Sequence, residues 1–228
     1  MSSNKKILLA LGFVMVALVS IFFVIRSASP KNAALSVRQH AMEMLGAQIS
    51  KLRPDCKVLV LSNPFTKESG YLNEKNQFER AGIRGLRKGL GGHSSVNVVY
   101  PEIRPEYFTN PQSVMIPPDS RTPLSFLMQP ASVDQLAEAN PKCLVIVSLI
   151  GLPAGVDKLK IWQEKDRCFA LLLPDLRLLG PPEKAVEAFQ RGKLLAAVVE
   201  DLQSGNPLIV TRENIMEVMK HQPKALGY

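Results

Sequence analysis

The stretch Lys57-Val-Leu-Val-Leu-Ser-Asn63 decides how the rest of the chain is read. It is a short, unbroken apolar run closed by Asn63-Pro64. A strand with one wet face alternates apolar and polar residues, whereas a run without alternation has both faces buried, the condition of a parallel strand covered by helices on each side. Three more runs have the same form: Cys143-Leu-Val-Ile-Val-Ser-Leu-Ile150, Cys168-Phe-Ala-Leu-Leu-Leu173, and the run from Leu194 to Val199. A fifth, from Val96 to Tyr100, is stopped by Pro101.

Helical patterns lie between these strands. From Asn73 to Leu90, Phe78, Gly82, Leu86 and Leu90 fall on one face, and Gly82, Gly85 and Gly89 sit too late in that helix to cradle a phosphate; they suit close packing on the sheet. Ser132 with Gln135 three residues on reads as a capping box. A turn or short helix covers Asp157 to Gln163, Pro182 opens a helix that Gly192 ends, and Thr211 caps a last helix from Arg212 to about His221, after a short apolar run from Leu208 to Val210. Ahead of the first strand, Leu35, Met42, Leu45, Ile49 and Leu52 form an apolar stripe that Arg38 interrupts and Pro54 ends. Fewer than three heptads are present, so this linker helix, residues 31–54, is read as docked on its own domain and not as a coiled-coil stalk.

Strands alternating with helices five times define an α/β class: a doubly wound, mainly parallel five-stranded sheet with helices on both faces. Right-handed crossovers between near neighbours make 2-1-3-4-5 the expected strand order. In that order Cys56, Cys143 and Cys168, each at or before the start of a strand, gather at the amino-terminal rim as buried packing groups. Free thiols are expected there, with a Cys56 to Cys143 bridge as the alternative.

Residues 1–30 have a different character. From Ile7 to Ile25 the sequence ILLALGFVMVALVSIFFVI holds nineteen residues without a charge, flanked by Lys5, Lys6 and Arg26. At ~1.5 Å per residue that run spans roughly 28 Å, about the thickness of a bilayer's hydrocarbon core. It reads as a transmembrane helix that places the protein in the lipid bilayer. The length of the run, and Pro30 just after the best small-residue cleavage site, favour an uncleaved anchor over a signal peptide. Lys5 and Lys6 keep the short amino terminus cytoplasmic, which puts residues 55–228 in the periplasm or outside the cell as a single-pass membrane protein.

Composition excludes several function classes. The chain has 28 basic and 20 acidic residues, but the excess is scattered, with no basic stripe interleaved with aromatics, so no nucleic acid partner is indicated. The three cysteines form no CxxC pair and the three histidines stand apart, so no metal site and no cofactor are expected. G-x-S-x-G, H-E-x-x-H and P-loop motifs are missing. No catalytic residue can be named, and an enzyme is not the expected reading.

Residues 101–130 contain seven prolines, too many for a helix or an inner strand, so they form an irregular excursion. In an open α/β sheet the ligand crevice lies beyond the carboxyl ends of the strands where the order reverses, here between the first and third. Ser62, Asn63 and Ser148 stand there. They are either ligand contacts or caps of the following turns. A single sheet edge is shallow, so a ligand would need the excursion as its second wall, with Tyr107, Phe108, Arg121 and Phe126 to line it. Asp175, Glu200 and Asp201 lie farther along the edge and read as loop residues. Trp162 either stacks on a sugar ring or covers the sheet.

Three stretches carry a family resemblance. They are Phe78-Glu-Arg-Ala-Gly-Ile-Arg-Gly-Leu-Arg-Lys-Gly-Leu90, Ala139-Asn-Pro-Lys-Cys-Leu-Val-Ile146 and Pro207-Leu-Ile-Val-Thr-Arg-Glu-Asn-Ile215. Over roughly residues 55–220 the chain resembles one lobe of the type 1 periplasmic substrate-binding proteins. That resemblance implies a Rossmann-like fold, an extracytoplasmic compartment and a sugar-like or amino-acid-like ligand. The family closes two lobes on its ligand, and this chain has length for one. The expectation is therefore a membrane-anchored binding or interaction module. Its rival is a structural partner in a cell-envelope assembly with no small-molecule ligand.

Overall fold

In a computed structural model, residues 30–68, 73–92 and 94–228 are described. Among the described residues no helix is long and apolar enough to cross a membrane; the run from Ile7 to Ile25 lies outside them. Residues Arg38–Tyr228 form one compact unit.

The elements in chain order are α1 (Pro30–Leu52), β1 (Lys57–Leu61), α2 (Glu74–Leu90), β2 (Ser95–Val99), α3 (Pro105–Thr109), α4 (Leu124–Leu127), α5 (Pro130–Glu138), β3 (Val145–Ser148), α6 (Lys160–Gln163), β4 (Cys168–Leu172), α7 (Pro182–Gln190), β5 (Leu194–Glu200), β6 (Pro207–Val210) and α8 (Ile215–His221). The sheet order is β2-β1-β3-β4-β5-β6, parallel throughout except for the last pair. Every residue of β3 and β4 is buried. Because successive side chains point to opposite faces, both faces of the sheet are covered there, as the unbroken apolar runs require.

Six strands, not five, make the sheet. The expected order holds for the first five, and the run from Leu208 to Val210 adds an antiparallel edge, with Val198 opposite Ile209 and Glu200 opposite Pro207. A turn stapled by Asp201 joins the pair: its carboxylate accepts from Gln203 N and Ser204 Oγ, and Asp201 N donates to Asn206 O.

Two helix starts also differ from expectation. Helix α5 begins at Pro130 and has Gln129 at its cap, so no capping box forms; Ser132 Oγ donates to Gln129 O and accepts from Glu102 N. The cap of α8 is Asn214, not Thr211.

The glycines of α2 pack on another helix, not on the sheet. A Cβ at Gly85 would lie 2.0 Å from Gln39 O, and one at Gly89 2.0 Å from Glu43 O; from the other side, a Cβ at Gly46 would lie 2.5 Å from Leu86 O. Backbone therefore touches backbone where α1 meets α2. Met42, Leu45 and Ile49 of α1 are fully buried in the same core as the sheet. Cys56, Cys143 and Cys168 are free thiols at the starts of their strands, and Cys56 stands near enough to act on the Cys168 thiol.

Candidate functional site

The carboxyl edge of β1 is built around one carboxylate. Glu79, on α2 and 7% exposed, accepts Ser62 Oγ at 2.7 Å and Asn63 N at 3.3 Å on Oε2, and the Arg38 guanidinium at 2.5 Å on Oε1. Arg38 Nε also donates to Phe78 O. A buried carboxylate needs such partners, since an unpaired one would cost several kcal/mol. Asn63 uses its side chain to cap the turn Pro64–Thr66, accepting from Phe65 N.

Ser148 ends β3 directly opposite Leu61. Its hydroxyl donates to Gly151 O at 2.6 Å and accepts from Ile150 N. The structure thus brings Ser62, Asn63 and Ser148 to one edge, but both serine hydroxyls are buried and all three side chains are engaged in local bonds.

The excursion lies against this edge. Ser125 Oγ donates to Ile150 O and Ala154 N donates to Ser125 O. A Cβ at Gly151 (φ +85°) would lie 2.3 Å from Ser125 Oγ and 2.8 Å from Thr122 Cβ, so only glycine fits both the left-handed backbone and the approach. Two arginines clip the same segment from below. Arg177 holds buried Asp175 through Nε at 2.9 Å and NH2 at 2.7 Å, and reaches the Asp119 carboxylate and carbonyl. Arg121 NH1 donates to Ala225 O at 3.4 Å.

Between edge and excursion a hollow of about 200 Å³ remains. Arg38 and Glu79 form one wall, Arg121 to Leu124 another, and Leu149, Ile150, Leu172 and Leu173 close it. Arg121 is exposed, and its one long bond leaves most of its donors available. Leu173 has φ +44°, a conformation uncommon for a bulky side chain and one that recurs at binding sites.

The other expected wall residues are divided. Tyr107 stacks edge-on between Phe65 (6.2 Å) and Phe108 (5.8 Å), forming an aromatic ledge beside the Asn63 turn and not in the hollow. Phe126 lines a separate depression with Arg104 and Met115. Trp162 packs its ring on Phe169. Of the acidic residues farther along the edge, Asp175 is held by Arg177 and Asp201 by its turn, while Glu200 is exposed at the end of β5. Among the described residues no cluster of three metal-ligating side chains occurs.

Sequence reading did not single out Glu79 as a site residue, yet it carried a signal. Arg38 interrupts the apolar stripe of α1, and Glu79 stands seven residues before Leu86 on the buried face of α2. Opposite charges that each break an apolar helix face are candidates to meet.

No family model matches the chain, and no curated protein sequence does. Solved structures do match. A galactofuranose binding protein aligns with a TM-score of 0.50 at 11% identity, over 85% of this chain and 64% of its own. The likeness is to the type 1 periplasmic binding-protein fold. An ABC transporter periplasmic solute binding protein from Actinobacillus succinogenes 130z, with bound D-allose, aligns with a TM-score of 0.49 at 8% identity, over 79% of this chain and 62% of its own. An ABC transporter solute binding protein from Burkholderia graminis C4D1M, in complex with D-arabinose, gives 0.45 at 11% identity, over 78% and 61%. This chain spans about three-fifths of the length of the solved structures it matches. Identities this low speak for the fold alone.

Proposed function

We propose that this chain is an extracytoplasmic binding module, anchored in the membrane through the run from Ile7 to Ile25, that holds a small polyhydroxylated ligand at the carboxyl edge of its sheet. The observation that carries the reading is the hollow at the strand-order reversal between β1 and β3, where exposed Arg121 faces the Arg38 and Glu79 wall. The free donors of Arg121 bond ligand hydroxyls, and the leucines give a dry floor. The excursion takes the place of a second lobe.

A thermal-shift panel of neutral aldoses and alditols on the wild type and on Arg121→Ala tests the site. A stabilisation of about 2.7 kcal/mol at a hundredfold excess over Kd, lost in the variant, is expected. Equal responses in both proteins, or none in either, remove the ligand reading. The anchor is tested separately by alkaline carbonate extraction. Retention in the membrane pellet with an intact amino terminus is expected, and release of a shorter form would mark the run as a cleaved signal.

The rival, a scaffold role in an envelope assembly, draws on one observation: Phe108 is 66% and Met115 87% exposed on the outside of the excursion. A stoichiometric envelope partner that dissociates on Phe108→Ser, together with a silent ligand panel, would put that reading first.

A further inference from the structure

Away from the carboxyl edge, a groove of about 580 Å³ runs between α6 and α7. It is nearly three times the volume of the edge hollow and lies within the ~300–1,000 Å³ range of small-molecule sites. Trp162 forms part of one wall, with its ring backed by Phe169 at 5.7 Å, and Ala188 and Leu179 supply apolar surface. The two ring planes are inclined by 41°, so Phe169 holds the indole in place from one side.

The groove's charge is unbalanced. Four cationic side chains, Lys165, Lys184, Arg191 and Lys193, line it against two carboxylates. Glu187 alone serves both Lys184 at 3.2 Å and Arg191 at 2.9 Å, which leaves one positive charge in excess. Lys193 Nζ donates to the backbone carbonyls of Ile161, Glu164 and Arg167, so its charge is fixed in place with no carboxylate bonded to it. Lys165 is exposed at the rim.

We infer that this groove binds an acidic saccharide, with the flat C–H face of a pyranose ring on Trp162 and its carboxylate among Lys165, Lys184 and Arg191. A neutral sugar would gain the stacking but not the charge, and a bare anion the reverse. Selectivity for a ring that carries both follows. This site is independent of the edge hollow and of Arg121.

Trp162 is the sole tryptophan, so its emission reports this groove and no other. The probes are D-galacturonate and D-galactose, titrated at neutral pH and low salt. A saturable emission change with galacturonate only is expected, weakened at least tenfold by Lys165→Glu with Lys184→Gln and by raised salt, and unaltered in Arg121→Ala. Far-UV circular dichroism confirms that the charge variant is folded; if it is not, Arg191→Gln alone replaces it with the same expectation. No saturable change, an equal change with galactose, or a change untouched by the charge variants overturns the assignment.

Discussion

Arg38 and Glu79 are separated by 41 residues in sequence and 2.5 Å in space, and through them α1, α2 and the end of β1 share one ion pair. Both side chains are largely withdrawn from water, at 19% and 9% exposure. The geometry of the edge hollow depends on this pair, because it fixes the wall that faces Arg121.

Removing one partner should therefore be worse than removing both. Glu79→Ala leaves a mostly buried guanidinium and Ser62 without an acceptor, and a loss of about 3 kcal/mol is expected from denaturant midpoints. Arg38→Met with Glu79→Leu should recover much of it. A Glu79→Ala protein with an unchanged midpoint would show that the pair does not hold these elements together.

The glycines of α2 make a sharper contrast. Gly85→Ala and Gly89→Ala put a methyl group 2.0 Å from a backbone oxygen of α1, so the helices must separate; a loss of about 2 kcal/mol or more is expected. Gly82→Ala meets side-chain atoms and no backbone: Arg38 Nε at 3.3 Å, Met42 Cγ at 3.5 Å and Arg38 Cγ at 3.9 Å, with the Arg38 guanidinium itself held by Phe78 O and Glu79. There, a gain in helix propensity of up to about 1 kcal/mol offsets the small shift asked of Arg38, so Gly82→Ala should melt well above the other two variants. Thermal melts of the three variants decide the matter, and equal melts would contradict the helix contact.

Asp119→Ala should free the excursion without unfolding the sheet, because Arg177 stays in place to pair with buried Asp175. Limited proteolysis between residues 110 and 121 should accelerate several-fold while the global melt changes little, since Arg177 and Asp119 are partly exposed. Arg177 holds the Asp119 carboxyl below the ordinary 3.8. Its contribution is therefore complete above that value and is lost as pH falls through the lower folded one. Cleavage in the excursion should rise at strongly acid pH in the wild type, and a pH-independent cleavage rate would sever Asp119 from the clip.

At the alkaline end, burial pushes the Cys168 thiol from 9.0 up to about 11, and burial together with Asp175 and Glu183 pushes the Tyr228 phenol from 10.0 up to about 12. Both groups keep their protons longer folded than unfolded, so their contribution is complete below pH 9 and declines as pH rises through 11 to 12. Melting temperatures should fall over that window. Cys168→Ala should flatten the lower part of the decline, and alkylation of native protein at pH 8 should leave Cys168 unmodified.

The sheet was legible where burial on both faces leaves no alternation, as at Val58 to Leu61 and Val145 to Ser148. It was not legible at β6, whose residues Pro207, Leu208 and Ile209 are only half-buried. A strand that shows one side to solvent and has four residues carries little pattern. Its hairpin turn did show a cue, Ser204-Gly-Asn-Pro207, that a two-strand reading could have used. At the site, residue type singled out Ser62, Asn63 and Ser148, which the structure places at one edge, but could not say which polar groups were already bonded. Ser148 is occupied by its own turn, through Gly151 O and Ile150 N, while Ser62 is occupied by Glu79, a partner set by tertiary structure. Arg121 was legible as a wall residue because few charged side chains occur in the excursion. Tyr107 was not, since nothing in its neighbourhood announces Phe65 as its neighbour.

The backbone contacts at Gly46, Gly85 and Gly89 also have a mechanical meaning. Side chains between helices act as lubricant, because rotamers can rearrange as one helix slides on another. Where a carbonyl oxygen sits against an α-carbon no rotamer is there to rearrange, so α1 can slide along α2 only by moving off it. From Arg38 the connection continues by hydrogen bonds into Glu79, and from Glu79 into Ser62 at the end of β1. A displacement on the amino-terminal side of this domain therefore has a hydrogen-bonded route to its carboxyl edge.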